Sequence, residues 1–344
     1  MIEESKRRVA YINEMIESGH AAELVAQGEN YHAEQLSHIA QQICANEKTR
    51  VVLIAGPSSS GKTSTSFRLC LELLAQGKQP VALSLDNWYV DGTRTPLKEN
   101  GEKDYESVYA IDLKQLEQDL KALIDGKEIA LPTFNFAEEK REYLGETLQL
   151  EEDAILVMEG IHALNPLLTE HIDSDCKYRI YAAPMSPVSL DGESWIPTAV
   201  HRLLRRMSRD LRTRGKSPQT TIATWASVRE GEDKWIEPFR SEADAEFDTS
   251  MTYELPAIRY TVETALQTVP AAAAEYKIAE QLLYYLSFFE GLEASFIPRT
   301  SILRELHMGL RRLLWCVWAL LFTFPCGLNG GLRLRQLLPI CTMW

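Results

Sequence analysis

Val51-Val52-Leu53-Ile54-Ala55-Gly56-Pro57-Ser58-Ser59-Ser60-Gly61-Lys62-Thr63 decides the fold of this 344-residue chain. Five consecutive apolar residues read as a strand buried on both faces, and a helical pattern over 62–76 takes over after the glycines. Between them lies G-x-x-x-x-G-K-T, the spacing of a phosphate-binding loop, in the strand-to-helix setting that such a loop requires. Gly56 and Gly61 let the backbone curl into a nest whose N–H groups face phosphate oxygens above a helix N-terminus. Ser58, Ser59 and Ser60 fill the loop and Ser64 follows it, so they join Gly56, Gly61, Lys62 and Thr63 in the expected nucleotide-binding set. Lys62 is expected to reach the β- and γ-phosphates, and the Thr63 hydroxyl to coordinate Mg²⁺. A Gly/Ser-rich turn matching by accident would lack the flanking strand and helix. The chain is expected to bind a nucleoside triphosphate, ATP or GTP.

Outward from the loop, strand patterns fall at 81–85, 154–158 and 178–182, and helical ones at 112–124, 199–213 and 273–290. Alternation of this kind predicts an α/β, three-layer fold with a mostly parallel sheet covered on both faces. Residues 1–48 read as a helical N-terminal extension with Leu36, Ile39 and Ile43 on one buried face. His32 and His38 lie six apart, which does not bring two ligands to one helical face, so they read as core or solvent histidines. The nucleotide-binding domain spans 49–300, and 301–344 is an atypical C-terminal tail.

The net charge of −13 argues against nonspecific nucleic-acid binding. Six cysteines show no C-x-x-C pair and no metal-ligand spacing, and the N-terminus has no signal-peptide core. These features point to a cytoplasmic protein with reduced thiols. Composition breaks at Leu306. From there to Trp344 no acid occurs, and half of the cysteines and three of the seven tryptophans gather. The apolar run 313–324 is shorter than the roughly 20 residues of a spanning helix. It reads as a membrane-surface anchor, as a tail without fixed order, or as a terminus outside the gene's original frame, the last two being the plainer readings.

Three further features carry chemistry. Ligands of an open α/β sheet sit beyond the carboxyl ends of its strands, and Asp86 ends the second strand pattern there. It could accept the proton of an attacking hydroxyl, or simply cap a turn before Asn87. Glu159 closes Ile155-Leu156-Val157-Met158 as a carboxylate suited to Mg²⁺ and its waters, and takes its weight from Lys62 and Thr63. Residues 202–216 hold seven basic side chains. Arg202, Arg206 and Arg209 share one helical face, opposite Leu203, Leu204, Met207 and Leu211. That face reads as a phosphate clamp, against the plainer reading of a solvated charge run. Gly215 suits the hinge of a closing lid.

Taken together, GPSSSGKT at 56–63, SLDNWYVD at 84–91, DYES at 104–107, LPTFNF at 131–136, EGIHALNP at 159–166 and RLLRRMSRDLRTRG at 202–215 resemble the uridine kinase and phosphoribulokinase family of P-loop kinases. They follow the family's order over about 49–255 and look most like a bacterial nucleoside-kinase-like branch. The resemblance implies that Asp86 is the catalytic base, with Lys62, Arg206 and Arg209 as its catalytic partners. It makes Glu106 a ligand of the ribose hydroxyls, Tyr105 and Phe134 the lining of the nucleoside pocket, and Arg141 an acceptor-side basic residue. Arg206, Arg209 and Arg214 become lid arginines that embrace the phosphates, and Thr63 and Glu159 the Mg²⁺ ligands. Family analogy also implies a homo-oligomer and a chain that is part of a longer architecture or a shortened relative. Two positions depart from the pattern: Glu139 stands where some uridine kinases carry histidine, and Asn135 where they carry aspartate. The expected activity is transfer of the γ-phosphate to the 5′-hydroxyl of uridine, with cytidine as a further acceptor. Two alternatives stay open: a kinase of another hydroxylated metabolite such as a sugar phosphate, and a nucleotide-binding regulatory module.

Overall fold

A computed structural model describes residues 3–304, so all but the first four residues of the expected 301–344 tail lie outside the described residues. Its centre is a five-stranded, all-parallel sheet in the order β2-β5-β1-β6-β7. The strands are β1 (Val51–Ala55), β2 (Gln79–Ser84), β5 (Ala154–Glu159), β6 (Lys177–Ala183) and β7 (Ala245–Asp248). Two more strands, β3 (Ile129–Asn135) and β4 (Lys140–Leu148), form a separate antiparallel hairpin. The helices are α1 (Val9–Glu17), α2 (Ala21–Ala45), α3 (Lys62–Ala75), α4 (Leu113–Ile124), the single turn α5 (Pro166–Thr169), α6 (Thr198–Arg209), α7 (Pro218–Trp235), α8 (Glu254–Leu266) and α9 (Tyr276–Ser287).

The alternation of side chains along β1 shows why the sheet is covered twice. Val51, Leu53 and Ala55 join Leu156 and Met158 against Leu116, Leu120 and Leu123 of α4. Val52 and Ile54 point the other way, with Ile155, Val157 and Ile180, against Leu36, Ile39 and Ile43 of α2 and Leu69 and Leu73 of α3. Each such Val, Leu, Ile or Met side chain, fully buried, contributes about 1.5–3 kcal/mol of transfer free energy. Helix α2 therefore forms part of one layer over the sheet. A further core gathers Val9 and Ile12 of α1 with α6, α8, α9 and the chain segment at Ile302 and Leu303.

Element boundaries differ from the sequence patterns in physically legible ways. Strand β2 stops at Ser84 because the Ser84 hydroxyl accepts the Asp86 N–H at 3.3 Å, curling Leu85–Trp88 into a 3₁₀ turn. The helix expected over 199–213 is α-helical only to Arg209. It widens into a π turn over Asp210–Arg214 and ends on Gly215, which is left-handed at φ 61°. Helix α9 is shorter than 273–290. The hairpin, β7, α7 and α8 had no strong pattern of their own. Among the described residues no helix is long and apolar enough to cross a membrane.

Strand register positions the chemistry. Glu159, the last residue of β5, lies level with Ile54 of β1 on one side and Ser84 of β2 on the other. The phosphate-loop segment after β1, the Asp86 turn after β2 and the Glu159 carboxylate thus emerge at one edge of the sheet.

Candidate active site

The loop from Gly56 to Thr63 is built around three backbone positions that constrain residue choice. A Cβ on Gly56 would stand 2.0 Å from the Ala182 carbonyl oxygen, so only glycine fits there. Gly61 is left-handed at φ 92°, and so is Ser59 at φ 59°, unusual for a residue with a side chain. Alternation of right- and left-handed residues turns successive N–H groups toward one point, which makes an anion nest. The Ser59 and Ser60 hydroxyls are buried and make no hydrogen bond among the described residues. Lys62 donates from Nζ to the Pro57 carbonyl at 3.0 Å. Burial lowers its pKa, while Glu159 and Asp86 draw it back up. The Thr63 hydroxyl donates to Glu159 Oε1 at 3.1 Å, so the two expected metal ligands are already side by side. Ser64 is buried on the first turn of α3.

Asp86 is half-buried at the edge of this loop. Burial raises its carboxyl above the usual aspartate value, against the lowering pull of Lys62, Arg214 and Arg209. Those arginines come from α6 and the π turn. Arg206 Nη1 donates to the Ser58 hydroxyl at 2.7 Å. Arg206, Arg209 and Arg214 all converge on the buried Asp210 carboxylate, at 3.5, 3.3 and 3.6 Å. Burial lowers the Arg206 pKa and brings that of Arg209 to about 10. Asp210 lies within ion-pair reach of all three guanidinium groups, while Asp86 and Glu106 act on them from farther off. The Arg206 Nε meets Asp210 at ion-pair distance, and the buried Arg209 Nε makes no hydrogen bond among the described residues. Guanidinium groups gathered in this way can bind an anion such as a phosphate. Asp210 was invisible to the charge-run reading, which counted cations and not the acid that gathers them.

Not every arginine of α6 joins this cluster. Arg202, expected on the clamp face, is locked onto Glu232 of α7 and donates to the Ser58 carbonyl at 3.2 Å. Arg205 is fully buried and paired with Glu254, which also receives His201. Burial tends to raise the Glu254 carboxyl, but Arg205 and His201 hold it well below the usual glutamate range.

The other wall is aromatic. Tyr89 sits among Tyr105, Phe134 and Phe136, with ring centroids 6.1, 5.4 and 6.2 Å away. Phe134 and Phe136 meet edge to face at 5.0 Å. Tyr105 and Phe134 were expected here; Tyr89 and Phe136 were not, although both lie within the motifs quoted for the resemblance. Such a group offers ring faces and edges to a flat ligand. Beside it, Glu106 leaves Oε2 buried without a hydrogen bond among the described residues. Burial raises its carboxyl to about 7, with Glu232 adding to the rise and Arg206 opposing it. His162, three residues after Glu159, is buried nearby, and burial lowers its pKa to about 4, so it stays neutral at physiological pH.

The cations expected on the acceptor side are engaged. Arg141 Nη2 pairs with Asp112 Oδ2 at 3.0 Å, and Arg94 shares that carboxylate at 3.5 Å. Lys98 donates to the Ser227 hydroxyl. Lys103 pairs with Glu139, which sits in a left-handed turn of the hairpin at φ 51°. Tyr105, Glu106, Phe134 and Asp86 are thus brought to one region, while Arg141 is tied back toward the N-terminus of α4.

Comparison with known proteins bears on the same segments. The model of the phosphoribulokinase / uridine kinase family matches residues 51–255. Uridine kinases of Staphylococcus aureus strains JH9 and Newman are each 31% identical over 198 residues, which cover 57% of this chain and 86% of theirs. Among solved structures, one described as a possible uridine kinase from Bacillus stearothermophilus aligns at a TM-score of 0.42 and 18% identity, covering 62% of this chain and 98% of that one. A D-glycerate 3-kinase from Cryptococcus neoformans aligns at 0.32 and 14% identity, covering 74% and 87%. Neither structural likeness adds to the architecture already described.

Proposed function

The chain belongs to the phosphoribulokinase / uridine kinase family and is a phosphotransferase with a hydroxyl acceptor; from that premise we propose that it transfers the γ-phosphate of ATP or GTP to the 5′-hydroxyl of uridine, with cytidine as a further acceptor. The observation that supports this reading best is the placement of a half-buried, raised carboxyl, Asp86, between the phosphate loop and the aromatic wall. Asp86 accepts the proton of the attacking hydroxyl and holds that oxygen in line with the γ-phosphate. Lys62, Arg206, Arg209 and Arg214 stabilise the charge that spreads over the transferring group. The Ser59 and Ser60 hydroxyls and the loop N–H groups anchor the non-transferred phosphates. Tyr89, Tyr105, Phe134 and Phe136 receive the flat base, and Glu106 the ribose hydroxyls.

Thr63 and Glu159 would hold Mg²⁺. Their all-oxygen pairing suits this hard cation, which takes one or two protein ligands beside phosphates and water. When bound, the ion neutralises charge across the β- and γ-phosphates. A phosphorylated sugar is a poorer fit as acceptor, because Arg94, Lys98, Lys103 and Arg141 are all engaged within the protein. A cytoplasmic location belongs to the same proposal, and Cys44, Cys70 and Cys176 are free thiols.

The test is ADP release in Mg²⁺ and ATP across a panel of nucleosides and ribulose 5-phosphate, with Lys62→Ala as the blank. Uridine-dependent release that vanishes in the blank supports the reading. Release that responds only to the sugar phosphate replaces the acceptor. Nucleotide binding without release to any acceptor sinks the kinase and leaves a regulatory module.

A further inference from the structure

Glu232 of α7 is fully buried, yet it faces the phosphate loop rather than a core of its own. Its Oε1 accepts the Ser58 N–H at 3.2 Å. Arg202 grips the same carboxylate with both terminal nitrogens, at 2.5 and 2.7 Å, and Arg229 adds a third contact at 2.7 Å. The guanidinium of Arg202 then donates to the Ser58 carbonyl at 3.2 Å. Both polar groups of the Ser58 backbone are therefore held from α6 and α7, and Arg206 holds its hydroxyl. The next residue is Ser59, the left-handed position that shapes the nest. Trp225, also on α7, lies against the Arg202 guanidinium at 5.3 Å.

We propose that Glu232 is a positioning residue, which through Arg202 and its own bond to the Ser58 N–H holds the phosphate loop in its nucleotide-ready shape. The physical case rests on the left-handed Ser59. A residue with a side chain leaves that conformation readily unless its neighbours are fixed, and here the preceding peptide groups are fixed by a buried, doubly bonded ion pair. Preorganised donors bind an anion without the cost of ordering them at the moment of binding. The adjoining Gly231 has a related role on the acceptor side. A Cβ there would stand 2.4 Å from Glu106 Cβ, so this step of α7 touches both halves of the site.

The proposal rests on the nucleotide-binding reading of the loop, and the experiment separates the two. Binding of β,γ-imido-ATP with Mg²⁺ is measured by calorimetry on the full chain, beside thermal melting. A single change such as Glu232→Gln risks leaving Arg202 buried and unpaired. The decisive variant is therefore the double replacement Arg202→Met with Glu232→Leu, since apolar residues of similar volume commonly preserve a fold that held a buried ion pair. The expected result is a melting temperature near that of the wild type and nucleotide affinity weakened by about tenfold or more. The KM for nucleotide rises while kcat at saturation changes little. Wild-type affinity in the double variant overturns the proposal, as does a loss confined to kcat. A wild-type chain that binds no nucleotide overturns the loop reading and this proposal with it.

Discussion

The proposed donor half of the site and the proposed acceptor half are built on opposite plans. On the donor side, one contiguous stretch from Gly56 to Ser64 supplies the cradle, and two helices fix it, α6 through Arg202, Arg205 and Arg206 and α7 through Glu232. On the acceptor side, Tyr89, Tyr105, Glu106, Phe134 and Phe136 arrive from a turn, a loop and a hairpin. They are held by ring contacts and by the half-exposed Lys103–Glu139 pair. A phosphate is the same in every nucleotide, so a rigid backbone nest serves it. An acceptor varies, and side chains on loops can be exchanged without disturbing the sheet.

The comparison breaks first at Asp86, which belongs to both halves. Asp86→Asn keeps nucleotide affinity and loses about 10³-fold in kcat, the range of a general base; calorimetry beside steady-state kinetics checks this, and retained turnover would remove Asp86 from the reaction. Next, Phe134→Ala raises the acceptor KM about tenfold, at the upper end of what an aromatic contact contributes, with the nucleotide KM unchanged. An equal rise in both constants would mean that the halves are not independent.

Glu106 sharpens the contrast through pH. Its folded carboxyl stands at about 7, above the ordinary 4.5, because burial disfavours the charged form. The fold then holds a proton that the unfolded chain has released. The contribution of this group is fully present below pH 4.5 and is lost as pH rises through about 7. Glu106→Gln removes that decline, so its melting temperature exceeds that of the wild type at pH 8 and converges on it near pH 4.5. A constant difference across that range would refute the assignment. The smallest effect is expected at Lys103→Ala. A half-exposed ion pair contributes about 1 kcal/mol or less, so the acceptor KM moves by no more than about fivefold and kcat stays level.

What the sequence makes legible follows the same division. The phosphate loop is local, so its order of residues specifies strand, nest and helix, and the register of β5 against β1 and β2 then delivers Glu159 beside Thr63. Asp210 and Glu232 could not be read, because their roles depend on which arginines fold against them. Arg202 shows the limit most clearly: its helical face is correct, yet it meets a carboxylate from α7 before it can meet a ligand. The hairpin escaped notice because β4, Lys140 to Leu148, is largely exposed and charged and lacks an alternating apolar face. Tyr89 and Phe136 lay within recognised motifs, but only their convergence in space shows that they complete the wall.

Trp225 against Arg202 has a consequence for anyone studying this protein at the bench. Indole emission responds to a cation stacked on the ring, and this ring is one guanidinium away from the Ser58 carbonyl. Nucleotide binding at the loop is therefore expected to change the share of the emission that comes from Trp225, and a Trp225→Phe protein that still binds is expected to lose that share of the change.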